Sequence, residues 1–116
     1  MIDADTQHAV PDKAGRAIFQ EYPMNRENFT QSLADGQFNE VLEKSLAAGD
    51  HNAAHSHPFD VRALVTQGDI TLTIDDVRTQ YREGEIFTMA AGCTHAENVG
   101  PSGVTYLVGR RYTNPA

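Results

Sequence analysis

The feature that most constrains the fold is a series of short segments after residue 36 in which apolar and polar residues alternate. In a β-strand this alternation produces one apolar and one polar face. Residues 70–74 show the pattern most clearly, and turns rich in glycine or aspartate separate the segments. Short strands at such spacing are typical of an antiparallel sandwich or barrel. The chain is therefore predicted to be an all-β protein.

The strand boundaries follow from the alternation and from the turn signals between segments. Glycine and aspartate mark predicted turns or loops at residues 49–54, 67–69, 75–76, 82–84 and 100–103. The predicted strands between and around them cover residues 38–47, 61–66, 70–74, 77–81, 86–89 and 104–111.

One short helix is predicted before the strands, over residues 26–35. Asn25 is a suitable N-cap, and Phe29 and Leu33 have the four-residue spacing of one helical face. Gly36 is a suitable stop. Residues 1–24 are interpreted as an N-terminal arm that is disordered, covers a sheet edge or pairs with a second subunit. Residues 25–116 are expected to form a single barrel domain.

Charge and composition exclude several classes of function. Nine basic and sixteen acidic residues among 116 give a net charge of −7, which argues against binding to nucleic acid or to an anionic membrane. No apolar run approaches the roughly 18 residues of a membrane span, and the acidic N-terminus is not that of a signal peptide. A single cysteine precludes an intrachain disulfide. We therefore expect a cytoplasmic protein.

Three of the five histidines indicate a metal site. His55 and His57 are two residues apart, so a strand would place both imidazoles on one face. Two such rings can bind one cation at about 2.0–2.1 Å, and His95 is the obvious third ligand. The alternative is two surface histidines near a proline and an unrelated third histidine.

The histidines and the glycines around them match two motifs of a known family. Together these motifs span residues 49–99, and the sequence resembles the cupin superfamily. The matching residues are Gly49, His55, His57 and Gly68 in the first motif, and Gly84, Gly92 and His95 in the second. The resemblance implies an antiparallel jelly-roll barrel of about six to eight strands, with one short N-terminal helix and the site in the barrel mouth.

The departures from the motifs concern the metal ligands. The glutamate of the first motif falls on Val61, and the proline and asparagine of the second fall on Ala90 and Val99. Three neutral imidazoles would leave a divalent ion with its full charge and with open positions, so an anionic ligand is favoured. This set resembles the three-histidine iron sites of cupin-type thiol and diketone dioxygenases, and equally cupins that have lost their chemistry.

Two other carboxylates could replace the missing glutamate. Asp60 is one residue early and would face away from the site in a regular strand, so we interpret it as a turn residue. Glu97 has the same parity as His95. It is therefore a candidate for a second layer of residues around the metal, as a hydrogen-bonding or proton-transfer group. An exposed strand glutamate is an equal alternative.

The remaining candidates receive weaker interpretations. His51 is expected to be a solvent-facing loop residue, and His8, in the arm, has no assigned role. Cys93 could be a ligand or an oxidation-sensitive thiol, but a small buried side chain is the preferred interpretation. Arg62 and the pair at residues 110–111 could bind an anionic substrate, although a solvated face is preferred.

The sequence leaves three functions open. The first is a metal-dependent oxidoreductase of the dioxygenase type that acts on a small anionic molecule through Fe(II). The second is a non-catalytic module that binds or senses a small ligand. The third is an isomerase or lyase that uses Zn, Ni or Mn as a Lewis acid. The expected cofactor is one divalent ion per chain (Fe, Ni, Zn or Mn), and the expected partners are a small molecule and a second copy in a homodimer.

Overall fold

The computed structural model describes residues 25–112 in full and, in the arm, the backbone of residues 9–11 and 17–19. The rest of the predicted arm, with His8, lies outside the described residues. The elements in chain order are β1 (Ala9–Pro11), β2 (Ala17–Phe19), α1 (Arg26–Asp35), β3 (Glu40–Leu46), β4 (His51–His55), β5 (Phe59–Ile74), β6 (Val77–Arg82), β7 (Ile86–Met89) and β8 (His95–Tyr112).

All pairings between the described strands are antiparallel. β1 pairs with β2 in a small sheet of its own. In the main sheet the order is β3-β8-β5-β6, while β4 also pairs with β8 and β7 with β5. The two long strands, β5 and β8, pair with each other from one end to the other and connect all the shorter strands. The predicted all-β antiparallel class, with one short helix among the described residues, is confirmed.

The helix α1 and the β5–β6 hairpin form as the local sequence predicts. Asn25 caps α1, since its side-chain oxygen accepts a hydrogen bond of 2.8 Å from the backbone N–H of Asn28. Asp75 and Asp76 connect β5 to β6 with φ values of 51° and 65°, the left-handed conformation that a two-residue hairpin turn of type I′ requires.

Three predicted turns or loops are wrong. Residues 67–69 and 100–103 lie inside β5 and β8, and residues 51–54 lie in β4. The β5–β8 register shifts between Val65 and Gln67 and again between Gly68 and Ile70, so extra residues bend the paired strands without reversing them. Glycine-rich sequence favours a bulge as well as a turn, and long-range pairing decides between them.

The bend creates an interior, and the helix covers part of the outside. Twelve buried side chains from β5, β7 and β8 form the interior cluster, which contains Val61, Phe87 and Tyr106. A second cluster lies on the other face of the sheet, where Phe29 and Leu33 of α1 pack against strand residues. No helix among the described residues has the length and apolar character needed to cross a membrane.

Candidate metal centre

The structure brings together the three histidines that the sequence singles out. Their potential ligand nitrogens lie within 4.8 Å of one another. The ring centroids are 4.8 Å apart for His55 and His57, 4.4 Å for His55 and His95, and 5.3 Å for His57 and His95. The strand register explains this, because His55 of β4 lies directly opposite His95 of β8. His57 follows just after β4, where its carbonyl oxygen accepts a hydrogen bond of 2.8 Å from the N–H of Gly92.

Backbone carbonyls set the tautomer of two of these rings. Nδ1 of His55 lies 2.8 Å from the carbonyl oxygen of Ala53, and Nδ1 of His95 lies 3.0 Å from that of Cys93. A carbonyl oxygen only accepts hydrogen bonds, so each Nδ1 must carry the hydrogen. In a neutral imidazole the lone pair then lies on Nε2, the atom that can bind a metal.

Nε2 of His95 is buried and has no hydrogen-bond partner among the described residues. It lies 3.3 Å from Oε2 of Glu97, which is ion-pair distance, but the contact lacks the geometry of a hydrogen bond. In the neutral ring, the Nε2 lone pair would be directed towards the carboxylate. Buried polar atoms are rarely left without a partner. A cation beside both atoms would satisfy them, so these residues fit a metal ion.

Glu97 faces this site. Its side chain is 12% exposed, and Oε2 lies 4.0 Å from Nε2 of His55. The other oxygen, Oε1, accepts a hydrogen bond of 2.7 Å from the side-chain amide of Asn52. Two residues lie between Asn52 and His55, whereas one lies between their partners Glu97 and His95, so β4 contains a bulge. The bulge turns Asn52 to the same side as His55, which places the amide beside the carboxylate.

The electrostatic environment lowers the pKa of His57 from its ordinary value of 6.5. Burial contributes most, followed by the positive charge that His55 and His95 would carry. Both effects favour the neutral ring, which is the form that binds metal ions.

Comparisons with known proteins identify the fold. No family model and no curated protein matches the sequence. Among solved structures, a cupin superfamily protein from Desulfitobacterium hafniense superposes with a TM-score of 0.54 and 20% identity, over 65% of this chain and 80% of the other. A protein of unknown function from Rhizobium leguminosarum gives 0.58 and 19%, over 64% and 69%. The chain has the cupin fold.

A third structure with this fold is an enzyme. Oxalate decarboxylase from Bacillus subtilis superposes with a TM-score of 0.57 and 19% identity, over 62% of this chain. The match covers 20% of the decarboxylase, so the chain spans about a fifth of that protein's length.

The structure places the residues at and beside the position where this sequence lacks the motif glutamate. Val61 is buried and lines the cavity, so the missing glutamate would have faced the site. Asp60 points elsewhere and lies in β5, not in a turn. Its carboxylate accepts hydrogen bonds of 2.8 Å from the N–H of Ala91 and 3.0 Å from Arg111, which lower the pKa of Asp60 in that order of importance.

The structure also shows the surroundings of three further candidate residues. His51 lies in β4 and is exposed, with Nδ1 3.3 Å from the side-chain oxygen of Asn98. Cys93 packs against the interior cluster, as a small apolar side chain would. Arg62 lies on the helix side, where it donates a hydrogen bond of 3.2 Å to Ser32.

The cavity at the site has a volume of about 390 Å³. His55, His57 and Glu97 line it, and the rest of the wall combines apolar residues with two cations. The other lining residues are Lys44, Asn52, Ala53, Phe59, Val61, Phe87, Met89, Tyr106, Val108 and Arg110. Burial, together with the charge of Glu97, raises the pKa of Tyr106 to about 12, so its hydroxyl stays protonated at neutral pH.

Sequence reasoning missed Lys44 and Asn52 and preferred a solvated position for Arg110. The strand periodicity could have identified Lys44, because residues 42, 44 and 46 share one face. Leu42 and Leu46 pack against the interior cluster. For Asn52 there was none, because its orientation depends on the bulge in β4.

Proposed function

We propose that this cupin-fold protein is a metal-dependent oxidoreductase of the dioxygenase type that acts on a small anionic molecule. His55, His57 and His95 would hold one divalent ion. The observation that carries the proposal is the buried Nε2 of His95, which lies 3.3 Å from Oε2 of Glu97 and has no hydrogen-bond partner among the described residues. Iron is the metal that would supply redox chemistry with O₂ at such a site.

The charge of the cavity supports an anionic substrate. Lys44 and Arg110 line the wall, and the guanidinium of Arg110 lies over the ring of Phe59, 4.7 Å from its centroid. A guanidinium can bind a carboxylate through two parallel hydrogen bonds. The protonated hydroxyl of Tyr106 is a further donor. Oxalate, after which the neighbour from B. subtilis is named, is itself a small carboxylate.

The protein's own residues would bind and orient the substrate. Arg110 and Lys44 would hold its anionic group, while Val61, Phe87 and Met89 form an apolar wall that limits access of water. A dioxygenase transfers both atoms of O₂ to its substrate, so the reaction requires no external reductant.

The first experiment is elemental analysis of the purified full-length protein, followed by titration with Fe(II) under anaerobic conditions. We expect one ion per chain and loss of the ion in each of His55→Ala, His57→Ala and His95→Ala. His51→Ala is the matched control, because His51 is exposed on the same strand and outside the cavity. Metal binding that survives all three substitutions would overturn the proposed site.

The second experiment measures O₂ uptake by the iron-loaded protein with a panel of small carboxylates and thiols. Uptake that depends on both iron and a substrate supports the oxidoreductase. Binding of a ligand without turnover would favour the non-catalytic module, and turnover with Zn or Ni but without O₂ would favour an isomerase or lyase.

A further inference from the structure

We infer that Glu97 is itself a metal ligand, through Oε2, and so supplies from β8 the carboxylate that Val61 cannot supply from β5. This inference rests on the proposed metal site and specifies its ligand set. The sequence left open whether Glu97 replaces the missing glutamate, acts beside the metal as a hydrogen-bonding or proton-transfer group, or is an exposed strand residue.

The first argument is the distance between potential ligand atoms. Oε2 of Glu97 lies 3.3 Å from Nε2 of His95 and 4.0 Å from Nε2 of His55. Histidine nitrogens and carboxylate oxygens bind divalent ions at about 2.0–2.2 Å, so two ligands of one ion are separated by roughly 3–4 Å. The carboxylate oxygen is therefore as close to the two nitrogens as a shared ion requires.

The two carboxylate oxygens of Glu97 have different contacts. Oε1 accepts the hydrogen bond from Asn52, which orients the carboxylate and leaves Oε2 directed at the histidines. A ligating carboxylate commonly has its second oxygen held by a hydrogen bond in this way.

The negative charge of Glu97 also favours a bound cation. Glu97 is almost buried, and within residues 25–112 its ion-pair partners are histidines alone. Imidazoles that bind a metal ion are neutral, so in a metal-bound site these rings would give the carboxylate no counter-charge. Because a buried carboxylate is costly without a cation, a divalent ion beside Oε2 provides the compensation. Among residues 25–112, Glu97 is also the only carboxylate that lines the cavity.

The site would then carry a net charge of +1 instead of the +2 of three neutral histidines. One anionic substrate group would complete the neutralisation, and Lys44 and Arg110 in the cavity wall also favour an anion. The substrate class that this charge selects is a small molecule with one anionic group near the reacting atoms.

The direct test is a crystal structure of the full chain loaded with Co²⁺. We expect Oε2 of Glu97 at about 2.0–2.2 Å from the ion. An ion held by the histidines with Oε2 more than about 3 Å away, or with water between them, would overturn this inference and leave the proposed function intact. Ions that bind elsewhere, with the histidines free, would overturn both.

Calorimetric titration with Co²⁺ provides an independent readout. Glu97→Gln keeps the shape of the side chain and removes its charge, and we expect the affinity to fall about 10- to 100-fold. Glu83→Gln is the matched control, because Glu83 is exposed in the β6–β7 turn, and it should bind as the unaltered protein does.

Relocation of the carboxylate separates a ligand from a supporting residue. In the Glu97→Gln background, Val61→Glu should restore most of the lost affinity, because Val61 lines the same cavity. Far-UV circular dichroism would establish that each variant is folded. Unchanged affinity in folded Glu97→Gln would overturn the inference, whereas loss of binding in His95→Ala would still support the proposed metal site.

Discussion

At the scale of single residues, two backbone carbonyls determine what the histidines can do. Ala53 and Cys93 accept the Nδ1 hydrogens of His55 and His95, so Nε2 of each ring is free for a ligand. Because neither contact involves the side chain of the accepting residue, Cys93 can act as a small packed residue and still orient His95. We expect Cys93→Ala to retain metal binding for this reason.

The lowered pKa of His57 has a consequence for stability in the absence of metal. A ring with a pKa below 6.5 in the folded state binds protons less tightly than it does in the unfolded chain. The unfolded state then binds more protons, so the free energy of unfolding should decrease as the pH falls below about 6.5. Urea unfolding in EDTA at pH 7.5, 6.0 and 5.0 measures this dependence. His57→Gln should flatten it, and an unchanged pH dependence in that variant would contradict the assignment.

Arg110 is predicted to carry much of the affinity for an anion. A charged hydrogen bond is worth about 1.5–3 kcal/mol, so Arg110→Gln should weaken the binding of a small carboxylate about tenfold or more. Calorimetry of the metal-loaded protein with formate, acetate, malonate and succinate measures the change. Arg78→Gln removes the same charge from an exposed position on β6 and is the control. Equal losses in both variants would show only a general effect of net charge.

At the scale of the elements, the bends of β5 and β8 shape the cavity. The first part of β5 pairs with β7 and its second part with β6, while the first part of β8 pairs with β4. Each long strand therefore belongs to both sides of the barrel. The bends coincide at Gly68 and Gly103, where the two strands pass so closely that only a glycine fits.

Gly68→Ala should therefore be strongly destabilising. Gly68 has a φ of +72°, and a Cβ there would overlap the carbonyl oxygen of Gly103. We expect a loss of about 2 kcal/mol or more in the free energy of unfolding, measured with urea. Gly49→Ala is the control, since its φ is +75° but a Cβ would meet no atom within 4 Å. That variant should lose only the backbone term, about 1–2 kcal/mol, and equal losses would contradict the steric argument.

At the scale of the whole molecule, metal binding should appear as stability. Because the site joins β4, the residues after it and β8, it forms only in the folded chain. An ion present at 100 times its dissociation constant should add about 2.7 kcal/mol to the free energy of unfolding. A thermal melt with and without Co²⁺ measures the increase, and EDTA should reverse it. The melting temperature of His95→Ala should not respond, and an equal response there would place the ion elsewhere.

The homodimer remains a prediction at this scale. Val41 is 43% exposed on β3, and within the described residues β3 pairs on one side only, with β8. An edge strand with an exposed apolar residue favours association with a second copy. Sedimentation velocity at tens of micromolar should give about twice the chain mass of 12.7 kDa. Removal of residues 1–24 should increase the monomer fraction if the arm contributes to the interface, and a monomeric full chain would contradict the prediction.

Local signals were sufficient for much of the fold. The helix α1 begins after Asn25 and ends before Gly36, and its caps depend only on neighbouring residues. The turn at Asp75 and Asp76 and the strands beside it follow from alternation and turn chemistry. The spacing of His55 and His57 and the motif match of His95 likewise predicted the cluster, although His57 follows β4 and does not continue it. The sequence thus determined the all-β class, the helix and the histidine cluster.

The tertiary structure alone decided the rest. A glycine-rich segment such as residues 100–103 can reverse a chain or bend it, and only the pairing of β8 with β5 selects the bend. The bulge in β4 changes the parity between Asn52 and His55, so no alternation rule could place Asn52 beside Glu97. Contacts between residues so far apart in sequence depend on register, and register is settled by the packing of the whole sheet.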